Sequence, residues 1–99
     1  MTEPRLVLME AIARKIIVTA RYNGVVLRLA PHALFERHGE LYVSALNLDK
    51  NWISEEARRL GHFKLSGLSM MELTEDPFDP MPAYEPTAPR PEDMLVFAI

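Results

Sequence analysis

The sequence predicts a mainly β domain with an N-terminal helix, folded as a small bent antiparallel barrel of the SH3 or Sm type. Asn23-Gly24 and His38-Gly39 each separate two apolar-rich runs, and Asn-Gly in such a place is the strongest short signal for a hairpin with a type I′ turn. Apolar and polar residues alternate along the first runs, as they do in strands with one buried face. A helical period precedes them, and a short helix followed by consecutive antiparallel strands suits a strongly bent barrel.

The first element is a helix predicted from about Pro4 to Arg14. Thr2 offers a capping hydroxyl, and a proline in the first turn loses no helical hydrogen bond. Glu10 and Arg14 are about one helical turn apart, so they can form an ion pair on the polar side. The apolar residues recur at helical spacing and predict a buried stripe of Leu6, Met9, Ala13 and Ile16, widened by Val7, Leu8 and Ile12.

Two linked hairpins follow the helix, with predicted strands at Ile16–Tyr22, Val25–Arg37 and 40–48. A two-residue loop at the first turn sets the register, and a slip by one residue would turn the whole apolar set toward water. The predicted buried face of the first hairpin consists of Ile16, Val18, Ala20, Tyr22, Val25, Leu27 and Leu29.

The second strand contains Pro31, which cannot donate a hydrogen bond to a neighbouring strand and therefore marks a bend, a bulge or an edge. Beyond this proline we expect Ala33 and Phe35 to continue the buried face. His32 is then expected to share the opposite face with Arg28.

Opposite charges flank the second turn. Arg37 and Glu40 are predicted to form a cross-strand ion pair worth about 0.2–1 kcal/mol. The third strand begins at Glu40 and is apolar on both of its faces. This pattern predicts a central strand that is covered on both sides, with the N-terminal helix as the lid on one of them.

Residues 47–59 are predicted to form an excursion from the sheet. Within it, 54–60 predicts one or two helical turns, because a serine cap and acids come first and arginines come last. Gly61 would end this helix. Two short strands are predicted at 62–65 and 69–73.

Composition divides the chain into three parts. Residues 1–75 are predicted to form the barrel domain. Six of the eight prolines fall within 76–93, which predicts an extended linker without regular structure. Residues 94–99 are abruptly apolar, and a free apolar tail would favour aggregation. We therefore expect these residues to dock as a strand on an open sheet edge, of this chain or of a neighbour.

An ordered series of short motifs runs through residues 5–75: Ala11-Ile12, Val18, Tyr22-Asn23-Gly24, Pro31-His32-Ala33-Leu34-Phe35, Gly39-Glu40-Leu41-Tyr42-Val43-Ser44-Ala45 and Phe63-Lys64-Leu65. In order and spacing this series resembles the WYL domain family, whose name-giving Trp-Tyr-Leu triplet would here be Leu41-Tyr42-Val43. The resemblance implies the same small barrel. It also implies a regulatory module that senses nucleic acid or nucleotide-like ligands through polar and basic residues on its sheet.

The chain departs from the family pattern at positions that bear on ligand binding. The family places arginines on either side of the residue equivalent to Phe63, and these positions correspond here to Gly61 and Gly67. The triplet also lacks its tryptophan. Either a nearby cation, Lys64 or an arginine of 58–59, substitutes for the missing arginines, or the ligand of the family has been lost.

The candidate ligand-binding residues lie mainly on the polar face of the first hairpin. Guanidinium and imidazole groups there could hold a phosphate or carboxylate through charge-assisted hydrogen bonds, although charges on the outer face of a hairpin often only meet water. The resemblance selects His32 and Tyr42, and Lys64 is included as a nearby cation that could replace the missing arginines. The predicted set is Thr19, Arg21, Arg28, His32, Tyr42 and Lys64. Trp52 in the excursion could stack on a nucleic-acid base or pack over the barrel mouth.

The composition limits the classes of partner. A net charge of −3 with 25% charged residues means that any nucleic-acid contact must come from a local basic face. The absence of cysteine excludes disulfides and thiolate metal sites and favours a reducing, cytoplasmic location. Charges interrupt every early apolar run, and no window reaches the ~18 apolar residues of a membrane span. We therefore expect neither a signal peptide nor a membrane contact.

The sequence contains no nucleophile elbow, phosphate-binding glycine loop or paired-carboxylate arrangement, and His32, His38 and His62 lack the spacing of metal ligands. We therefore predict a non-enzymatic regulatory sensor, without a metal or cofactor, that binds single-stranded nucleic acid, a nucleotide or another small anion in transcriptional or stress regulation. The 99 residues leave no room for a helix-turn-helix domain, so an effect on transcription would need another chain or a longer context. The alternative is a protein-interaction or homo-oligomerisation module that has lost its ligand and associates through the C-terminal strand.

Overall fold

Among the residues that the structure describes, 3–82 and 84–99, six strands form one antiparallel sheet preceded by a helix. The structure is a computed structural model. The predicted mainly β fold with an N-terminal helix is confirmed. The helix α1 covers Pro4–Arg14, and the strands are β1 (Ile16–Tyr22), β2 (Val25–Arg37), β3 (Glu40–Asn47), β4 (Gly61–Lys64), β5 (Leu68–Pro77) and β6 (Met94–Ala98).

The sheet does not close into a barrel. The strand order is β4-β3-β2-β1-β5, with β6 also paired to β2. β2 uses one edge twice, because its first half pairs with β1 and its second half with β6, while β3 takes the other edge. In the described part of the chain β4 and β5 do not pair, so the predicted barrel is corrected to an open sheet. A 3₁₀ turn at Leu65–Gly67 separates these strands, and the rings of Tyr22 and Phe63 meet edge-on, with centroids 5.4 Å apart.

Both predicted hairpin turns are confirmed. Asn23 and Gly24 have φ angles of 52° and 78°, and His38 and Gly39 have the same values. Positive φ at both central residues is the requirement of a type I′ turn. The first hairpin also has the predicted register, so the apolar and polar sets of β1 face opposite sides of the sheet.

A β-bulge in β2 changes the face of every side chain that follows it. Pro31 and Ala33 pair with consecutive residues of β3, so His32 between them has no partner there. Leu34 therefore packs into the core under α1, whereas Phe35 is buried on the opposite face. The alternation predicted beyond Pro31 is wrong by one residue, because one extra residue in a strand moves the later side chains to the other face.

The main core lies between α1 and the sheet. α1 packs on β1, β2 and β5. Its buried face consists of Val7, Leu8, Ala11 and Ile12. Leu6 is 54% exposed, so the buried stripe is rotated about the helix axis relative to the predicted one. All residues from Leu6 to Met9 are apolar, and periodicity alone therefore could not identify the centre of the buried face. The sheet contributes Val18, Ala20, Leu29, Leu34, Val43, Ala45 and Leu68 to this core.

The ends of α1 are set by backbone groups. Thr2 lies outside the described residues, and Glu3 at the N-cap makes no side-chain hydrogen bond to the helix. The predicted ion pair is present, with Arg14 Nη1 2.7 Å from Glu10 Oε2. Lys15 has a left-handed conformation with φ of 56°, and its N–H donates to carbonyls of the last turn. This conformation ends the helix and leads the chain directly into β1.

The two long connections contain little regular structure. The helical turns predicted at 54–60 reduce to a single 3₁₀ turn at Glu55–Ala57. β5 extends to Pro77, and the described residues from 78 to 93 contain neither helix nor strand. β6 pairs with β2 of its own chain, which is one of the two predicted alternatives for this strand. The division of the chain into domains stays a prediction. Within the described ranges, no helix has the length and apolar character needed to cross a membrane.

Leu8→Ala should lower the free energy of unfolding by about 2–5 kcal/mol, because Leu8 is fully buried and its truncation leaves a cavity. Leu6→Ala makes the same chemical change in the same helix at an exposed position, and its effect should stay within about 0.5 kcal/mol. Urea denaturation of both variants measures the difference. Equal losses would contradict the assigned buried face.

Candidate functional site

Most of the predicted ligand-binding residues share the face of the sheet opposite α1. Cross-strand partners lie on the same face of a sheet. Thr19 of β1 pairs with Arg28 of β2, and Tyr42 of β3 pairs with Lys64 of β4. Their neighbours along the strands, such as Val43, are packed in the core on the other side. The residues on this outer face are Thr19, Arg21, Arg28, Tyr42 and Lys64. They fall into two groups at different places on the sheet.

The group on the first hairpin is exposed. Arg28 Nε donates to Asp49 Oδ1 at 3.1 Å, and the backbone N–H of Arg28 donates to Oδ2 of the same carboxylate at 2.8 Å. Arg21 is exposed and, in the described part of the chain, forms no ion pair. Thr19 lies opposite Arg28 and is partly exposed. An anion that binds this group must therefore compete with Asp49 for Arg28.

The group on β3 and β4 is occupied by contacts within the protein. The ring of Tyr42 stacks on Phe35, with centroids 5.5 Å apart and an interplanar angle of 12°. Lys64 Nζ lies 2.7 Å from Glu40 Oε2, and this hydrogen bond raises the pKa of Lys64. The predicted pair of Arg37 with Glu40 is wrong, because Glu40 binds Lys64 and Arg37 binds a distant carboxylate.

That carboxylate belongs to Asp93, which precedes β6. Arg37 Nε donates to Asp93 Oδ1 and Nη2 donates to Oδ2, both at 2.8 Å, and the side chains are 9% and 0% exposed. The hydrogen bond with Arg37 is the main reason that the pKa of Asp93 is lowered. The guanidinium also lies 5.1 Å from the ring centroids of Phe35 and Tyr42. This two-bond ion pair holds the start of β6 against the end of β2.

His32 is not part of the exposed face. It is fully buried, and both ring nitrogens are engaged: Nδ1 lies 2.8 Å from the Ala30 carbonyl, and the N–H of Met81 donates to Nε2 at 3.1 Å. This pattern assigns the proton to Nδ1. The rings of Phe78 and Tyr84 pack on the imidazole, with centroids 5.2 Å and 5.0 Å away.

These contacts separate His32 from Arg28, so the predicted joint surface of the two side chains is not formed. The described residues of 78–93, here called the C-terminal strap, cover the imidazole instead. Tyr84 Oη donates to the His32 carbonyl at 3.2 Å, and Phe78 N–H donates to the Lys15 carbonyl at 2.9 Å. The segment predicted as a linker is thus packed on the sheet. Ligand binding by the remaining predicted residues stays a prediction.

A cleft opens beside Trp52 in the connection between β3 and β4. Its volume is about 310 Å³, and Trp52, Lys50 and Arg59 line it together with Gly61 and Phe63. The sequence-based alternatives for the tryptophan were stacking on a base and packing over the sheet. The indole is partly exposed, which leaves room for both.

A second cleft of about 250 Å³ lies between the sheet and the C-terminal strap, lined by Ser44, His62 and Tyr84 among others. His62 is the cross-strand partner of Ser44, and its ring packs edge-on against Phe35 with centroids 5.2 Å apart. Burial lowers the pKa of His62, and the charge of Arg37 lowers it further. The lowered pKa favours the neutral imidazole, which offers hydrogen bonds rather than charge.

Within residues 3–82 and 84–99, no three His, Asp or Glu side chains lie close enough together to hold a metal ion. The sequence did not predict the contacts of Arg37 with Asp93 and of His32 with Met81, which join residues 56 and 49 positions apart. The one available signal was the acidic pair Glu92-Asp93 immediately before an apolar strand.

Comparison with solved structures finds a chain described as proteasome accessory factor B/C (PafBC) of Arthrobacter aurescens. The TM-score is 0.66 and the identity is 17%, over 83% of this chain and 13% of that chain. A likeness at this identity shows the fold alone, and this chain corresponds to a small part of that protein. No family model matches the sequence, and the comparison with curated proteins finds no match.

Stability should fall as the pH is lowered from about 7.5 to about 5.5. Burial lowers the pKa of His32 below its ordinary value of 6.5, so near pH 6.5 and below the unfolded chain binds a proton that the folded chain does not. One such proton contributes at most about 1.4 kcal/mol per pH unit. Urea denaturation at several pH values measures this slope.

His32→Gln is the variant that tests the source of the slope. The glutamine keeps an oxygen that can accept the N–H of Met81 but does not titrate, so the slope should become flatter. His62→Gln should remove a second part of the slope, because burial lowers that pKa in the same direction. A slope that is unchanged in His32→Gln would show that the buried imidazole is not its source.

Proposed function

We propose that this protein is a non-enzymatic regulatory module of WYL-like fold that binds single-stranded nucleic acid, a nucleotide or another small anion, in transcriptional or stress regulation. The observation that carries the proposal is the likeness in fold to PafBC, which is a WYL-domain-containing regulator. The resemblance of Leu41-Tyr42-Val43 and its flanking motifs to the WYL family supports the same assignment independently. Because the likeness covers 13% of that chain, an effect on transcription would require further protein segments or a partner.

The outer face of the first hairpin is the surface that suits an anion best. Arg21 and Arg28 are both exposed there, and guanidinium groups form charge-assisted hydrogen bonds with phosphate and carboxylate. The partner of Arg28 is Asp49, whose side chain is 36% exposed, and exposed ion pairs are weak. A ligand phosphate can therefore replace this carboxylate. The absence of cysteine fits action in a reducing compartment such as the cytoplasm.

Arg28→Ala should weaken the binding of a single-stranded oligonucleotide and reduce the dependence of log K on log salt by about 0.7, the value for one lost phosphate contact. Anisotropy of a labelled oligo-dT, measured at several salt concentrations, gives both quantities. Arg14→Ala removes the same charge from the exposed helix and should leave both unchanged. Absence of binding at low salt, or equal effects of the two variants, would contradict this site.

A second candidate function is association through β6. Met94, Leu95 and Val96 are 66%, 36% and 42% exposed, and in the described part of the chain β6 pairs only with β2. An exposed apolar edge strand can pair with a strand of another chain. The partner would be a second copy of this protein or another protein with an open edge.

If β6 mediates self-association, light scattering should give about twice the chain mass of 11.3 kDa, and Val96→Lys should restore the monomer, because a lysine on an edge strand opposes pairing. Val26→Lys is the matched control, since Val26 is 56% exposed at the first hairpin, away from β6. A wild-type monomer at all concentrations would exclude a homo-oligomer formed by this strand.

A further inference from the structure

The connection between β3 and β4 holds the single tryptophan of the chain in a defined orientation. Trp52 Nε1 donates to the Asn47 carbonyl at 2.9 Å, which fixes the indole at the end of β3. Lys50 Nζ lies 4.6 Å from the ring centroid. The cleft of about 310 Å³ beside this ring is at the lower end of the size range of small-ligand sites.

The cations that line this cleft have different neighbours from most other cations of the protein. Arg28, Arg37 and Lys64 each bind a carboxylate. The described lining of the cleft contains two cations, Lys50 and Arg59, and no carboxylate. Arg59 donates from Nη1 to two backbone carbonyls at 2.8 Å. These bonds hold the guanidinium in place without neutralising its charge, and other N–H donors of the group stay available.

Part of the cleft lining is apolar and consists of Leu60, Gly61 and Phe63. A Cβ atom at Gly61 would lie 3.2 Å from the ring of Phe63, so a side chain at this position would press on that ring and narrow the cleft. An aromatic surface, an apolar wall and two cations are therefore brought together in one place on a chain whose net charge is −3.

We infer that this cleft binds a nucleobase together with its phosphate, the base stacking on Trp52 and the phosphate lying between Lys50 and Arg59. A base stacked on an aromatic side chain is held more strongly than an exposed ammonium over the same ring. The base therefore replaces the Lys50 ammonium, which turns to the phosphate. The inference rests on the proposed function and assigns it a second contact surface besides the first hairpin. A free nucleotide and a segment of single-stranded nucleic acid carry the same chemistry.

Fluorescence of the full-length protein tests the inference directly, because all tryptophan emission comes from Trp52. AMP and unlabelled oligo-dT are the two ligand arms, and inorganic phosphate and adenosine are the controls for each half of the ligand. Saturable quenching by AMP or by oligo-dT, with much weaker effects of phosphate and adenosine, is the expected result. The arm with the tighter binding identifies the source of the base.

Variants then locate the contacts. Trp52→Ala should weaken binding by ~5-fold to ~150-fold, the range for loss of one stacked base, with calorimetry replacing fluorescence. Trp52→Phe should retain most of the affinity, and this variant keeps a ring in case the alanine variant is unstable. Lys50→Gln and Arg59→Gln should each weaken binding and reduce the salt dependence, whereas Arg14→Gln on the helix should do neither.

The outcomes separate this inference from the proposed function. If labelled oligo-dT binds and responds to Arg28→Ala, but Trp52 is not quenched and Lys50→Gln has no effect, the Trp52 site is overturned and the proposed function stands. If neither AMP nor oligo-dT binds at low salt by any of these measurements, the Trp52 site and the binding of nucleic acid or nucleotide in the proposed function are both overturned.

Discussion

One extra residue in the longest strand determines how the rest of this protein is arranged. His32 has no partner on β3, and this offset turns Leu34 toward α1 and Phe35 toward the opposite face. One strand therefore packs Leu34 into the core under α1 and Phe35 against the rings of Tyr42 and His62 on the other face. The imidazole of His32 accepts a hydrogen bond from the N–H of Met81. The backbone carbonyl of His32 accepts one from the N–H of Ile99 at 3.1 Å. Backbone and side chain at a single position thus attach the C-terminal strap and the end of β6 to the middle of the sheet.

The parts of the fold that depend on neighbouring residues could be predicted from the sequence. The type I′ turn at Asn23-Gly24 requires only that two consecutive residues accept positive φ. The predicted turn and the predicted register of the first hairpin are therefore both correct. Pro31 was a weaker guide, because a missing N–H is equally compatible with a bend, an edge or a bulge. Only the positions of the flanking strands decide among these. The sequence near Pro31 therefore could not show that the alternation changes after it.

The candidate site shows the same division between local and distant causes. Alternation along the strands placed Arg21 and Arg28 on the outer face of the first hairpin, but it could not indicate which cations would find a carboxylate. Asp49 binds Arg28, and this pair depends on how the loop after β3 folds back. Glu40 binds Lys64, and this pair depends on the pairing of β3 with β4. Arg37 shows the difficulty most clearly, because the adjacent acid across the turn was a reasonable partner and a carboxylate 56 positions away is the actual one.

The place of β6 in the chain has a consequence for folding during synthesis. The second half of β2 has β3 on one edge as soon as the second hairpin forms, but its other edge waits for residues 94–98. During the translation of the intervening residues, the nascent protein exposes an unpaired strand edge and a guanidinium whose carboxylate has not yet been made. Late contacts of this kind are slow to form and leave partly folded chains open to wrong pairing. The sheet is therefore completed only after β6 has emerged from the ribosome.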